Sequence, residues 1–448
     1  MPRRAPAALL SIGALMGALL VATSAPAGAG AGGIVAGDTI VVDTTADAPD
    51  ASLGDGICAT AADECSLRAA LEEAQEVHED GVTTTLEVPA GEYQLTEGQL
   101  FVYNVNVVIQ GAGVGETIVK ATPPGEGTHR HLAMSWDGEL VVTLSDMTFT
   151  EGMGESQGGS VINDGGTLTV RRMHFVGNEA DFHGGAIASY GGEVIRDSLI
   201  VEDTTFAGNS AGLVGGAIHA DEGEVVTVTN STFTGNGAAF GGAIYAGTFD
   251  EEGTGAASVE IFHATFAGNS ASGLQGDPAG GALYAGDGGE ILLLGSIVEG
   301  SVEGEPRLVP AAVGDPIANC ATISDGVITS GGWNVVDDAS CSTSEATDQP
   351  DTAANVGALQ DNGGPTFTMA LTADSPAVDA AGATCEVTDD QRGVARPQDG
   401  DGDGTNGCDS GAFELAAVPE TTTTTTSTPS TPDAPAAQAA RQTPTYTG

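Results

Sequence analysis

Asp399, Asp401 and Asp403 stand at alternate positions, separated by Gly400 and Gly402 and followed by Gly404. Carboxylates spaced this way suit a calcium loop, because the cation takes several hard oxygen ligands and the chain must turn sharply to deliver them. A complete EF-hand-type loop would place a bidentate Glu at its twelfth position, where this chain has Ser410. The competing reading is an acidic turn held by a bridge between Cys385 and Cys408. Calcium is the one cofactor the sequence suggests, with Asp399, Asp401 and Asp403 as its ligands.

Other reactive residue types give less. His129 and His131 alternate onto one face of a possible strand and could share a metal, but no third ligand is identifiable, and a surface loop is the plainer expectation. Asn178, Asn209, Asn236 and Asn269 recur at one place in a repeat. They could form a sugar-binding row, although asparagines stacked at a corner more often form a hydrogen-bonded ladder that satisfies the turn backbone. Six cysteines fall as three local pairs: Cys58 with Cys65, Cys320 with Cys341, and Cys385 with Cys408. Disulfides are the natural reading in an exported chain, and several connectivities stay open. No Ser-His-Asp order, nucleophile elbow, phosphate loop or zinc signature is present, so no catalytic residue is assigned.

The asparagines belong to a repeat running from Val142 to about Ser301. Aligned on Phe149, Phe175, Phe206, Phe233 and Phe266, with Val298 in the sixth place, the copies lie 26, 31, 27, 33 and 32 residues apart. Seven and five residues before each aligned position stand Val142 and Leu144, Leu168 and Val170, Leu199 and Val201, Val226 and Val228, Val259 and Ile261, and Ile291 and Leu293. Two residues before it the inward set changes parity, to Met147, Met173, Thr204, Ser231, Ala264 and Ser296. Side chains alternate across a strand with period two, so this shift means a bend. Gly-Asn follows the Phe in four copies, and then comes a Gly-Gly pair leading to an aliphatic residue. A period of this length marks a solenoid. Short strands, a bend and a glycine corner in every turn describe an all-β parallel β-helix, whose coils pair through backbone hydrogen bonds about 4.8 Å apart. Phe is then expected to stack on Phe inside the coil.

The repeats resemble those of the chlamydial polymorphic outer-membrane proteins, which combine a GGAI-type and an FxxN-type element. Gly-Gly-Ala-Ile occurs three times here, beginning at Gly184, Gly215 and Gly241. The resemblance implies a right-handed β-helix on a cell surface and no reaction. Cys65-Ser66-Leu67-Arg68-Ala69-Ala70-Leu71, with Val41-Val42-Asp43-Thr44-Thr45-Ala46-Asp47 before it, is similar to the CSLREA-type N-terminal segment of secreted bacterial β-helix proteins; Ala69 replaces the usual acidic residue. Ser66 can cap a helix over 66–78 with Leu67, Ala70, Leu71 and Ala74 on one face, fit to plug an open end of the solenoid. After the repeat decays come five ordered motifs: Asn362-Gly363-Gly364-Pro365-Thr366, Ser375-Pro376-Ala377-Val378-Asp379, Asp390-Gln391-Arg392-Gly393, Arg396-Pro397 and Cys408-Asp409-Ser410-Gly411-Ala412-Phe413-Glu414. Their succession is similar to the choice-of-anchor Q domain.

Arg3 and Arg4, an apolar run to about Ala22 and Ala25-Pro26-Ala27 compose a secretory signal peptide. No later span is long and apolar enough to cross a bilayer. With 62 acidic against 12 basic side chains, the formal net charge is -50, which excludes a basic nucleic-acid or anionic-membrane surface. The expected organisation is a signal peptide at 1–27, an N-terminal cap at 28–80, a parallel β-helix at 81–345, a small disulfide-bonded C-terminal domain at 346–416 closing the other end, and a disordered Thr/Pro/Ser-rich stalk at 417–448. Pro444-Thr445-Tyr446-Thr447-Gly448 only echoes a sortase signal, so release is expected over anchoring.

The β-helix also carries pectate lyases and polygalacturonases, which makes a carbohydrate-active lyase or hydrolase the alternative function. Lyases of that kind need an Arg or Lys base beside calcium-binding carboxylates. The coils offer Lys120, Arg130, Arg171, Arg172, Arg196 and Arg307, with Arg171 and Arg172 at a bend where one should face solvent. Polygalacturonase-like Asn-Thr-Asp, Gly-His-Gly and Arg-Ile-Lys signatures are absent. The expected role is an extracellular or cell-surface scaffold, structural or adhesive, with a surface glycan or a host or neighbour cell-surface protein as partner.

Overall fold

The computed structural model describes residues 33–417 except 122–128, 135–139, 192–197, 222, 249–255, 275–278 and 305–316. The signal peptide, the stalk beyond Ala417, Arg196 and Arg307 lie outside the described residues.

The coils form a right-handed parallel β-helix with four stacked sheets. A broad sheet of ten strands runs from Thr39–Val41 to Val327–Gly332, and a sheet of nine strands from Gly91–Leu95 to Val335–Val336. A sheet of eight strands runs from Leu100–Val102 to Cys320–Thr322, and two-residue strands stack into a sheet of six between Met153–Gly154 and Val302–Glu303. The first rung, Thr39–Val41, pairs with Thr83–Val88, so the β-helix begins inside the stretch expected to be only a cap.

The alternation read from the sequence sets the register. The apolar pairs fall opposite one another, as in Leu168 with Leu199 and Val170 with Val201, and all twelve side chains are buried. Phe149, Phe175, Phe206, Phe233, Phe266 and Val298 lie in one register column. The rings of Phe206 and Phe233 stack with centroids 4.7 Å apart and planes 3° from parallel, and those of Phe233 and Phe266 with centroids 4.7 Å apart. Burying one such ring stabilises by about 1.5–3 kcal/mol, and each stacked pair adds roughly 0.5–1.5 kcal/mol.

The parity change has a backbone cause. Asp146, Arg172, Asp203, Asn230 and His263, each one residue before the shifted inward position, have positive φ between 46° and 59°. Left-handed backbone costs a non-glycine residue roughly 1–2 kcal/mol. It is held because the amide of each bend residue still reaches the next coil, as in Arg172 N to Glu202 O at 3.0 Å and His263 N to Leu294 O at 3.0 Å. After the Phe, Gly208 takes φ 62° with open space where a methyl would stand, so conformation alone requires glycine there. At Gly216 the requirement is space, since a Cβ would lie 2.1 Å from the Gly242 carbonyl of the next coil.

The helix α1 (Leu67–Glu76) covers the first coils, with Ser66 Oγ accepting from Ala69 N at 3.0 Å. Leu67, Ala70, Leu71 and Ala74 are buried as the face predicts, but the helix stops at Glu76, two residues short of the expected end. Disulfides join Cys58 to Cys65, Cys320 to Cys341 and Cys385 to Cys408.

Residues 346–416 hold one two-stranded hairpin, Leu359–Gln360 with Thr368–Met369, and otherwise turns and extended chain. Their apolar side chains Ala354, Leu371, Ala377 and Phe413 share a cluster with Ile297 and Val335 of the coils. This segment does more than close the last coil: it runs back along the flank of the solenoid past Thr205 to His174, whose ring lies 5.1 Å from that of Phe367.

Candidate functional site: the clamped flank and the acidic loop

The residue before each Phe points outward from the nine-stranded sheet, and Thr205, Thr232, Thr265, Ile297 and Val335 in this column are nevertheless buried. The C-terminal segment covers them. Thr205 Oγ1 donates to Phe367 O at 2.7 Å, Gln391 Nε2 donates to Thr205 Oγ1 at 3.0 Å, and Ala412 N donates to Thr265 Oγ1 at 2.9 Å. Gln391 also accepts from Thr232 Oγ1, so one buried amide spans two coils. The adjoining bend is held as well: Thr366 Oγ1 donates to Asp203 O at 2.9 Å, Asn230 Nδ2 donates to Asp389 O at 2.8 Å, and His263 Nε2 lies 3.2 Å from Glu386 Oε2.

The five C-terminal motifs read as parts of this clamp. Arg396 and Glu414 form an ion pair at 2.9 Å with both side chains fully buried, and Arg396 also donates to the carbonyls of Asp409 and Gly411 at 2.7 Å each. Burial pushes the Arg396 guanidinium down and the Glu414 carboxyl up, so desolvation outweighs their mutual attraction. Gly411 sits against Ile297 with φ 92°, where a Cβ would come 2.6 Å from Ile297 Cδ1. The Arg392 guanidinium lies 3.5 Å over the Phe413 ring, and Ser410 Oγ donates to Trp333 O at 2.7 Å.

Charged groups along the clamp are perturbed by burial. Desolvation, then Glu202, pushes Asp203 up to about 7. Desolvation, then Glu414, pushes Asp409 up to about 7. Burial pulls His263 below the ordinary imidazole range.

The acidic loop brings together a different set of carboxylates from the one its spacing suggests. Among the described residues, carboxylate oxygens of Asp379, Asp399 and Asp401 lie within 4.8 Å of one another, and Asp403 is not in that group. Asp403 instead caps its own turn, accepting from Thr405 N at 2.8 Å. Asp379 is brought in by left-handed backbone, φ 54°, and accepts from Gly407 N at 3.0 Å. One oxygen of Asp399, Oδ1, is buried without a hydrogen-bond partner. These are hard oxygen donors suited to calcium. Asp379 is legible in the sequence only as part of a motif, since nothing in its spacing links it to a loop some distance further on.

The remaining sequence candidates are accounted for by structure. His131 is not on a surface loop: it is fully buried, with Nδ1 2.9 Å from Ser160 Oγ, Nε2 3.0 Å from Thr150 O and its ring stacked on Phe149. The asparagines form the ladder, Asn178 Nδ2 reaching Asn209 Oδ1 at 2.9 Å and Asn209 Nδ2 reaching Asn236 Oδ1 at 3.0 Å, each also donating to a carbonyl of the preceding coil. Arg171 faces solvent, whereas Arg172 pairs with Asp146 at 2.6 Å. Lys120 Nζ lies 3.0 Å from Glu92 and 3.7 Å from Glu151.

A family model described as the Chlamydia polymorphic membrane protein (Chlamydia_PMP) repeat matches residues 203–221, which run from the bend at Asp203 through Phe206, Asn209 and Gly215-Gly216 to Asp221. No curated protein matches the chain. No solved structure matches it either. No described helix is long and apolar enough to cross a membrane. The stacked coils make a β-helical scaffold, one of whose coils is similar to this repeat, and its disulfides suit an extracellular protein.

Proposed function

We propose that the chain is a secreted or cell-surface β-helix scaffold, structural or adhesive in role, that holds a glycan or a neighbouring cell-surface protein on its outer face. The observation that carries this is the outer face of the ten-stranded sheet. Thr85, Val108, Thr143, Thr169, Ile200 and Thr227 follow one another in register, each half-buried. They make an uncharged row across six coils, ended by the exposed Glu260 in the next, with one side chain about every 4.8 Å, on a chain of net charge -50. Such a row suits an extended partner bound by hydroxyl hydrogen bonds and methyl contacts. The lysine speaks against a lyase, because hydrogen bonding to Glu92 raises its pKa and a base must give up its proton. Incubating the purified chain with a glycan array tests the reading. Selective retention that is lost in Thr143→Arg and Thr169→Arg supports it, and retention unchanged by both sinks it.

We also propose that Asp379, Asp399 and Asp401 hold a calcium ion. The support is the convergence of three carboxylates and the unpartnered Asp399 Oδ1. The ion would brace the loop beside the Cys385–Cys408 bridge; its test is given below.

A further inference from the structure

The end of α1 carries charge that folding alone does not call for. Its last turns read Glu72-Glu73-Ala74-Gln75-Glu76 with no basic residue in the last turn, although carboxylates at a helix C-terminus oppose the partial negative charge of its free carbonyls. Glu73 has a structural reason to be there: it is buried and accepts from Gly54 N at 2.7 Å and Gly56 N at 2.6 Å. Glu72 has part of one, with Oε2 accepting from Asp50 N at 2.8 Å. Glu76 is exposed, and among the described residues its side chain makes no hydrogen bond or ion pair.

Beside Glu72 and Glu76 the chain opens a cavity of about 240 Å³ between α1, the loop at Leu53 and the edge strand Leu100–Val102. Phe101 and Tyr103 line it and are 54% and 40% exposed, unusual for rings in a protein with so few aromatics. Tyr103 is tied to the helix through its N–H, which donates to Gln75 Oε1 at 3.2 Å. Burial, then Glu76, then Glu72 raise the Tyr103 phenol, so both carboxylates bear on that ring. Arg68 also lines the cavity, with its positive charge offset by Asp47. Its guanidinium donates to both Asp47 oxygens, at 2.7 and 3.2 Å, and to Gly98 O at 2.6 Å.

Two aromatic faces, two carboxylates and a helix C-terminus all attract positive charge, and the apolar wall at Leu53 favours a ligand with a hydrocarbon shell. A sugar could stack on the rings and donate hydroxyls to the carboxylates, but it brings no positive charge to offset theirs. We propose that this pocket binds an organic ammonium group, either a lysine side chain of a partner protein or a quaternary ammonium head group. The site goes beyond the scaffold reading and does not depend on it.

The test titrates the full chain by calorimetry with choline, with Nα-acetyl-lysinamide, and with the neutral choline isostere in which a tert-butyl group replaces trimethylammonium. At least one ammonium probe is expected to saturate the pocket, with the neutral isostere weaker by roughly tenfold. Preference for choline assigns a head group, and preference for the lysinamide assigns a protein lysine. Phe101→Ala and Glu76→Gln should each weaken the bound ammonium by about threefold to tenfold with Tm unchanged, since both side chains are exposed. Equal affinity for the neutral isostere, no saturation by either ammonium, or full affinity in both variants overturns the proposal.

Discussion

Thr232 donates its hydroxyl hydrogen to the side-chain carbonyl of Gln391 at 2.6 Å, across a separation of 159 residues. That bond joins a repeat coil to the C-terminal segment, and the same amide donates to Thr205 Oγ1 and Thr366 Oγ1. Gln391→Ala should leave several buried hydroxyls and carbonyls short of partners and cost about 1–3 kcal/mol. Limited proteolysis of the variant should cut first between residues 346 and 416. The exposed Gln360→Ala should behave as the parent. Equal cleavage rates in the two variants would mean that the amide does not hold the segment down.

The Phe column makes a second prediction. Phe206→Ala removes a ring fully buried between two others and should cost about 3–5 kcal/mol, whereas Thr234→Ala, half-buried on the outer side of the same sheet, should be nearly silent. Equal melting temperatures for the two variants would contradict the stacking.

Asp203 sets a pH dependence. Its carboxyl, raised by burial from 3.8 to about 7, binds its proton more tightly in the folded chain. The stability it contributes is fully present below pH 3.8 and is lost as pH rises through about 7. His263 works the other way, because burial lowers its pKa from 6.5, and its contribution is lost as pH falls below that value. Asp203→Asn should therefore flatten the fall in Tm between about pH 4 and pH 7. A slope identical to the parent's would show that Asp203 does not titrate differently on unfolding.

Calcium gives the fourth prediction. Adding it in millimolar excess should raise the Tm of the purified chain, and Asp379→Asn and Asp399→Asn should each remove most of the increase. Asp403→Asn should keep it, because Asp403 is spent on its own turn. A Tm unmoved by calcium, or equal loss in all three variants, would refute the three-carboxylate site.

What the sequence reveals and what it hides follow from the range of the interactions involved. Period-two alternation and glycine corners are local, so the coils, the inward apolar pairs, the Phe column and the asparagine ladder are all readable. The bends are visible as a parity change, and Asp146, Asp203, Asn230 and His263 are residue types that tolerate left-handed backbone, but nothing local marks Arg172, which takes it because its amide is held by the next coil. His131 looks like a loop residue because its partners, Ser160 and Thr150, come from the next turn. The flank is hidden for the same reason. Thr205, Thr232 and Thr265 look like ordinary outward threonines until chain from far downstream buries them. Asp379 joins Asp399 through packing inside the C-terminal segment, where it accepts from Asp401 N and Gly407 N, so loop spacing points to Asp403 instead.

A scaffold is distinguished from a catalyst most directly by a single time course. The purified chain is immobilised and incubated with a panel of acidic and neutral polysaccharides, and both the amount retained and the length of the retained polymer are measured in the same samples. Saturable retention of at least one polymer, with its length unchanged and no unsaturated or new reducing ends, is the predicted result. Shortening that depends on the folded chain, and disappears in Lys120→Ala, would contradict it.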